Sequence, residues 1–268
     1  MPCLQVNPME IIAIIPALNE EKTLQAVIEG TLEYIQNIIV ISDGSTDRTQ
    51  AIINQYPVQC IQNPTRLGKG ASLLKAFALA KEQQADAVLT LDADGQHLPQ
   101  FLPDFINAAT HYPESLLIGV RQNKTAHAPK LRHMANCIAD FWISWAAGSR
   151  LKDTQCGYRL YPIKSLPKTS EQCSLSDGFS DESRLLINSL WQGYSCLGVP
   201  ISTIYKEDAR PSYFHPSKDV MRIIRIVATK LLQKKFNLPG LYQVIFGPPM
   251  TILNNNLLKQ AKEERYND

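Results

Sequence analysis

The chain has 268 residues, 44% of them hydrophobic and 19% charged, enough to bury a full core as one large domain or one domain with an appendage. A net charge of +2 argues against bulk nucleic-acid binding, and no stretch reaches the roughly 20 apolar residues of a spanning helix. The six cysteines (Cys3, Cys60, Cys137, Cys156, Cys173 and Cys196) are scattered without a CxxC, which favours reduced cytoplasmic thiols over a disulfide framework or a zinc site. No segment reads as a secretory leader, because Pro16 and the acids Glu20 and Glu21 end the first apolar run too soon.

Residues 11–15, Ile-Ile-Ala-Ile-Ile, form a continuous apolar run, as in a strand buried on both faces. Asn19 is expected to cap a helix over 20–29 with Leu24, Val27 and Ile28 on one face. A second strand, 38–42, runs into Asp43-Gly44-Ser45-Thr46-Asp47, and a helix starting near Thr46 carries Ala51, Ile52 and Ile53. A third strand, 58–61, leads through Gly68-Lys69-Gly70 to a helix over about 71–81. The next strand begins at Ala87 and ends in two carboxylates one residue apart, Asp92 and Asp94, with Gly95, Gln96 and His97 behind them.

This β-α alternation predicts a parallel, doubly wound sheet flanked by helices. It sets Asn19-Glu20, 43–47 and 92–97 at one sheet edge, the carboxyl edge where open α/β sheets bind ligands. Two close carboxylates repel unless a cation sits beside them. Hard oxygen ligands suit Mg²⁺ or Mn²⁺, commonly completed by substrate phosphates. A bare Asp-x-Asp fits a solvated acidic turn equally well; the convergence of three polar loops favours the metal reading. The first turn lacks GxGxxG, and Gly68-Lys69-Gly70 lacks the spacing of GxxxxGK[ST], so neither a dinucleotide fold nor a P-loop is expected.

In the second half a helix is expected over 101–109, and a strand over 116–120 ends at Arg121. A helix over 130–147 carries Leu131, Met134, Ile138, Phe141, Trp142 and Trp145 at helical spacing; these are expected in the core, and secondarily as an acceptor wall. Asp153-Thr154-Gln155-Cys156-Gly157-Tyr158-Arg159 follows, with Gly157 open to a close backbone approach. Asp181 and Glu182 open another helix, and 200–205 reads as a final strand. Over 218–235, Val220, Ile223, Ile224, Val227 and Leu231 share one face of a helix that also carries Arg222, Arg225, Lys230, Lys234 and Lys235. Such a helix either packs on the sheet or lies on an anionic membrane surface. Residues 236–250 are expected to be irregular, and the polar tail from Leu258 to fray.

Taken as an ordered set, Pro16-Ala17-Leu18-Asn19-Glu20, Ser42-Asp43-Gly44-Ser45-Thr46-Asp47, Gly68-Lys69-Gly70 and Asp92-Ala93-Asp94-Gly95-Gln96-His97 resemble the family-2 inverting glycosyltransferases of the GT-A (nucleotide-diphospho-sugar transferase) fold. The resemblance covers about 10–215 and is closest in pattern to the polyprenol-phosphate (dolichol-phosphate) sugar synthases. It implies a nucleotide-sugar half over about 10–98 and an acceptor half over about 99–217 of one catalytic domain, 1–217, with 218–268 appended. It implies that Pro16, Asn19 and Glu20 surround the nucleotide, that Asp43 contacts the nucleoside, and that Lys69 approaches the nucleotide. Asp92 and Asp94 match the metal-binding acids that clamp the diphosphate, with Gln96 as an additional ligand. The bland alternatives stay open: Asp43 as a turn acid, Lys69 as a solvated residue at a helix start, and Asp181 and Glu182 as helix N-terminal acids. Arg184 replaces the family's second glutamate on that helix, which puts a carboxylate pair there in doubt. Arg210 and Ser212 match in type an Arg and a Ser of the polyprenol-type enzymes, of which the Arg contacts the acceptor phosphate.

The implied reaction is inverting transfer from a nucleoside-diphosphate sugar, with Mg²⁺ or Mn²⁺, to a polyprenol phosphate or other lipid-linked acceptor. A phosphate acceptor needs cationic anchors, for which Arg121, Arg132 and Arg210 are candidates. The alternative, a glycan or small-molecule hydroxyl in cell-envelope biosynthesis, needs a general base, for which Asp181 and Glu182 are candidates. Cys156 reads as a packed residue, since direct displacement needs no covalent intermediate. No tryptophan sits in the Gln-x-x-Arg-Trp context of the processive synthases. The expected setting is cytoplasmic, peripheral at the inner face of the membrane. A non-catalytic nucleotide-sugar-binding scaffold is the reading from another class.

Overall fold

The computed structural model describes residues 9–122, 130–167, 181–203 and 216–254. Its centre is a run of β-branched and aliphatic residues too apolar to face water. β1 (Ile11–Ala17), β2 (Ile38–Asp43) and β4 (Ala87–Thr90) are buried on both faces. With β3 (Gln59–Asn63), β5 (Ser115–Arg121), β6 (Arg159–Pro162) and β7 (Ser195–Ile201) they form one sheet in the order β3-β2-β1-β4-β6-β5-β7. β6 alone runs against the others, antiparallel to both β4 and β5. Thr90 at the end of β4 pairs with Arg159 at the start of β6, so the 153–158 loop arrives at the same carboxyl edge as the loops after β1, β2 and β4. The mostly parallel α/β sheet was legible in the strand–helix alternation; the reversal of β6 was not.

Helices cover the sheet where their periodicity directs them. α1 (Leu24–Leu32) buries Leu24, Val27 and Ile28. After α2 (Thr49–Ile53), α3 (Lys69–Glu82) buries Leu73, Leu74, Phe77 and Ala80, and α4 (Leu102–His111) buries Leu102, Phe105 and Ala108. α5 (Lys130–Ala147), α6 (Asp181–Trp191) and α7 (Pro216–Gln233) complete the packing, with Ile226, Val227 and Leu231 of α7 in the common core. Among the described residues no helix is long and apolar enough to cross a membrane.

Several expectations are corrected. Asn19 does not cap a helix over 20–29. It adopts φ +54°, its Oδ1 accepts from Thr46 N at 2.8 Å, and α1 starts at Leu24. α2 starts at Thr49, where Asp47 Oδ1 accepts from Thr49 N. Among the described residues the last strand is Ser195–Ile201, starting earlier than the expected 200–205, of which 204 and 205 lie outside the described residues. Of 236–250, expected to be irregular, only 247–250 are: α8 (Leu238–Phe246) forms before them, with Asn237 Oδ1 accepting from Gly240 N. Beyond it, Leu253 N and Gly198 N bond across to Gly198 O and Thr251 O, which stitches the segment to β7. The aromatic stripe of α5 is not core. Met134, Ile138, Phe141 and Trp142 are exposed and Trp145 is only partly buried, because the inward face is taken by Ile143, Ser144 and Ala147.

Candidate active site

The loop after β1 and the loop after β2 are bound to each other. Asn19 N donates to Ser45 Oγ, Glu20 N to Thr49 Oγ1 at 2.8 Å, and Glu21 N to Asp47 Oδ2. Glu20 is buried beside Thr23, whose hydroxyl donates to Ala93 O at 2.7 Å and so pins this cluster to the β4 loop. Pro16 lies half-buried at the end of β1, opposite Ile41 of β2.

Asp43 ends β2 inside a cage of donors. Asn63 Nδ2 and Leu67 N donate to its Oδ1, and Gly68 N donates to its Oδ2, all within 2.9 Å. Asn63 is held in turn by Ser72 and Lys75. The carboxylate therefore fixes the turn, with Gly68 at φ +95°, that launches α3 and aims Lys69.

Lys69 Nζ lies 2.6 Å from Asp92 Oδ1 and 3.2 Å from Glu182 Oε2. Burial alone would favour the neutral amine, but Asp92 and Glu182 hold it charged, above its ordinary range. Burial likewise works against Asp92, and Lys69 reverses that, so the carboxyl stays below its usual value. Among the described residues Asp94 forms no such ion pair. Burial, followed by the fields of Asp92 and Glu20, pushes it up to about 6, against a bond from Gln96 N to its Oδ1 and the charge of Lys69. The Gln96 side chain is half-buried on the same loop. His97 is buried and stacked on Tyr158 with ring centroids 6.1 Å apart, and burial lowers its pKa.

The 153–158 loop closes the site from the other side. Gly157 O accepts from Thr90 Oγ1 at 3.0 Å, and a Cβ at Gly157 would come within 2.9 Å of both Asp92 Cγ and Lys69 Nζ, and closer still to Asp92 Oδ2. Only a glycine lets this backbone lie against the Asp92–Lys69 pair. Arg159 is fully buried and satisfied by three backbone carbonyls and one hydroxyl: it donates to Cys156 O, Thr154 O, Glu182 O and the Tyr161 hydroxyl. It thereby ties the start of α6 to the loop and holds Glu182 against Lys69. Glu182 Oε1 is buried with no hydrogen-bond partner among the described residues. Arg121 is engaged by Asp153, which accepts from its backbone N, Nε and guanidinium. Asp140 of α5 accepts from Asp153 N and from Thr154 N and Oγ1. Burial pushes the Cys156 thiol up to about 12.

The fold thus brings Asp92, Asp94, Lys69 and Glu182 together, with Asn19, Glu20 and Asp43 in the adjoining loops. Arg121 stands apart in its own pair with Asp153. The side chains of Arg132 and Asp181, and Arg210 and Ser212 altogether, lie outside the described residues. Sequence reasoning missed the supports Asn63 and Asp140; it singled out the stretch ending in Arg159 but not that residue's part in holding the start of α6. Among the described residues no three His, Cys, Asp or Glu side chains converge as a closed metal cage.

Residues 12–163 match the family model of glycosyl transferase family 2. The UDP-N-acetylglucosamine–dolichyl-phosphate N-acetylglucosaminyltransferase of Methanococcus voltae is 28% identical over 74% of this chain and 86% of that protein. The undecaprenyl-phosphate mannosyltransferase of Micrococcus luteus is 24% identical over 74% of this chain and 85% of that protein. Glucosyl-3-phosphoglycerate synthase of Mycobacterium tuberculosis, in complex with Mn²⁺, uridine diphosphate and phosphoglyceric acid, superposes with a TM-score of 0.64. At 17% identity, over 83% of this chain and 78% of that one, it is a likeness of fold, the GT-A fold. With more than half of its length under one family model and a set of site motifs like those of the polyprenol-phosphate sugar synthases, the chain belongs to glycosyl transferase family 2 and is a glycosyltransferase.

Proposed function

We propose that the chain transfers a sugar from a nucleoside-diphosphate sugar to a polyprenol phosphate or another lipid-linked phosphate, with inversion and with Mg²⁺ or Mn²⁺. The observation that carries this reading is Asp94. It is a carboxyl just after β4 that faces Asp92 and Glu20 and, among the described residues, forms no ion pair. Two carboxylates and the Gln96 amide make an open, all-oxygen donor set, which suits a hard cation completed by phosphate and water. Asp92 and Asp94 would hold the ion, which offsets charge on the departing diphosphate.

The chain's own residues do the rest. Asn19, Glu20 and Asp43 shape the nucleoside pocket, since their hydrogen bonds knit the loops after β1, β2 and β3. Lys69 sets the orientation of Asp92 and brings a fixed positive charge beside the diphosphate. An acceptor phosphate oxygen attacks the anomeric carbon as the bond to the diphosphate breaks, and the nucleoside diphosphate leaves. Such an acceptor is already ionised and needs cations; Arg121, Arg132 and Arg210 are the candidates, with Arg121 shared with Asp153. The donor half spans about 10–98 and the acceptor half 99–217, with 218–268 as an appended helix and tail. The enzyme works in the cytoplasm at the inner face of the membrane.

One observation favours a second reading, a hydroxyl acceptor. The unpartnered Oε1 of Glu182 is a proton acceptor inside the site, and a hydroxyl needs such a base where a phosphate does not. Asp181 is the other candidate base.

The test is a thermal-shift panel of UDP-, GDP- and dTDP-sugars with and without Mn²⁺, because a ligand bound only by the native state raises Tm. A selective, Mn²⁺-dependent rise that is lost in Asp94→Ala supports the donor site and names the base. No rise with any donor at millimolar concentration overturns it and favours a scaffold role. Transfer to a short-chain polyprenol phosphate, compared in wild type and Glu182→Gln, separates the acceptors: a phosphate tolerates the substitution and a hydroxyl does not.

A further inference from the structure

Three helices of this chain turn apolar stripes outward. On α5, Met134, Ile138, Phe141 and Trp142 recur at i, i+4, i+7 and i+8, all exposed. On α8 the same spacing sets out Leu238, Tyr242, Ile245 and Phe246, with Phe246 71% exposed, while Gly240 and Val244 face inward. On α7, Met221, Ile224 and Leu232 are exposed although Val227 and Leu231 already supply its buried face. The stripes join: α5 packs on both α7 and α8, and Trp145 Nε1 donates to Phe236 O and Asn237 O at the bend before α8. Phe141, Trp142 and Trp145 contact one another, as do Tyr242 and Phe246. Contiguous exposed apolar surface on this scale marks a docking face.

Charge decides what docks. From Met221 to Met250 the sequence holds five cations, Arg222, Arg225, Lys230, Lys234 and Lys235, and no aspartate or glutamate. Of these, Arg225, Lys234 and Lys235 are exposed, and Lys230 and Lys234 lie over the Trp191 ring. A two-fold dimer through this face would bring one such cationic patch against another. An anionic bilayer presents the complementary charge, and tryptophan, tyrosine and phenylalanine beside cations suit its headgroup boundary.

We infer that the outward faces of α5, α7 and α8 together form a docking surface for an anionic phospholipid bilayer. The dock is therefore not the single basic helix that the sequence suggested, but a layer to which α8 contributes a helix without one charged residue. α5 links dock and site. Its outer side carries the stripe, and Asp140 on its opposite side holds the Asp153–Thr154 backbone that leads to Gly157. The inference deepens the proposed use of a lipid-linked acceptor, and rests on it for its purpose only; vesicle binding is read without any sugar transfer.

The experiment is co-sedimentation of the full chain with vesicles of phosphatidylcholine alone or mixed with phosphatidylglycerol. Ile245→Ser/Phe246→Ser, Trp142→Ser and Arg225→Glu/Lys235→Glu are run in parallel, each with a thermal melt and a donor-plus-Mn²⁺ thermal shift. Wild type should partition onto the anionic vesicles and far less onto neutral ones, and binding should weaken with salt. The apolar double variant should lose about tenfold or more in partitioning, since each removes buried hydrocarbon. The charge-reversal variant should lose the preference for anionic lipid, and melts and donor shifts should stay at the wild-type values. Absence of wild-type binding to anionic vesicles overturns the inference, and so does equal binding by the variants. A dimer in sedimentation velocity that Ile245→Ser/Phe246→Ser dissociates, without vesicle binding, overturns it in favour of a second copy. Lost vesicle binding with intact donor shifts, or the reverse, separates failure of this dock from failure of the donor site.

Discussion

Lys69 Nζ stands 2.6 Å from Asp92 Oδ1, so the acid expected to meet a divalent ion already has a cation of its own. The same ammonium reaches Glu182 at 3.2 Å and so ties the start of α6 to the loop after β4. Removing one member of a buried ion pair strands the other charges and costs about 3 kcal/mol or more. Lys69→Met should therefore lower Tm clearly in the absence of metal. Mn²⁺ should then restore more stability to the variant than it adds to wild type, because it no longer shares Asp92 with an amine. Equal Mn²⁺ increments in the two proteins would mean that Lys69 and the ion do not share that carboxylate.

Gly157 is required by packing and not by φ. A methyl there would press on Asp92 and Lys69 at once, and the surrounding strands β4 and β6 give the backbone little room to retreat. Gly157→Ala should cost about 1–3 kcal/mol and abolish the Mn²⁺-dependent donor shift. Gly193→Ala is the matched control. Gly193 has φ +95° but nothing within 4 Å of its would-be Cβ, so the substitution should cost about 1–2 kcal/mol of backbone strain and leave donor binding at the wild-type level. Urea melts and thermal shifts on both variants check the pair.

Local chemistry made the donor edge legible. Apolar runs too short for helices, each ending in Asn, Asp or Gly, located β1, β2 and β4 and the loops behind them. What the sequence hid is set by tertiary contact. Nothing near Glu182 signals that its partner is Lys69, more than a hundred residues away, because Arg159 arranges that meeting through the backbone of α6. Asn19 looks like a helix cap by residue type, yet the neighbouring β2 loop offers its side chain a better donor. Periodicity gave α5 its helix correctly and its direction wrongly: an apolar stripe identifies a face, and what covers that face is decided elsewhere in the fold. The irregular reading of 236–250 holds after Phe246 and failed before it, because Pro239 sits in the first turn of α8, where proline is tolerated.

Cys156 sits in the 153–158 loop that closes the site, a position that invites a covalent mechanism. Its burial pushes the thiol up to about 12, so almost no thiolate exists at neutral pH. Site-resolved iodoacetamide labelling at pH 8 should modify exposed Cys60 readily while Cys156 stays unmodified in the native chain. Cys156→Ala should retain transferase activity. Labelling of Cys156 at the rate of Cys60, or loss of turnover in the alanine variant with an unchanged melt, would argue for a chemical role.

Asp94 makes the stability of the metal-free chain depend on pH in a definite direction. Its carboxyl is raised from an ordinary 3.8 to about 6 in the folded state, by burial first and by Asp92 second. Between those values the native state holds a proton that the unfolded chain has released, so stability falls as pH rises through the window. Below about pH 4 both states are protonated and the penalty vanishes; above about pH 6 it is complete, about 3 kcal/mol at most for a shift of this size. Asp94→Asn keeps an acceptor for Gln96 N and removes the charge. Without metal it should match wild type near pH 4 and exceed it in Tm above pH 6. Saturating Mn²⁺ should reverse the order at pH 7.5, because the ion discharges in wild type the repulsion that asparagine never had. A proton and the ion would compete for the same carboxylate, so the Mn²⁺ affinity of wild type should fall about tenfold per pH unit below 6. Calorimetric titration from pH 5 to 8 checks this slope, and a flat profile would show that Asp94 does not take part in holding the ion.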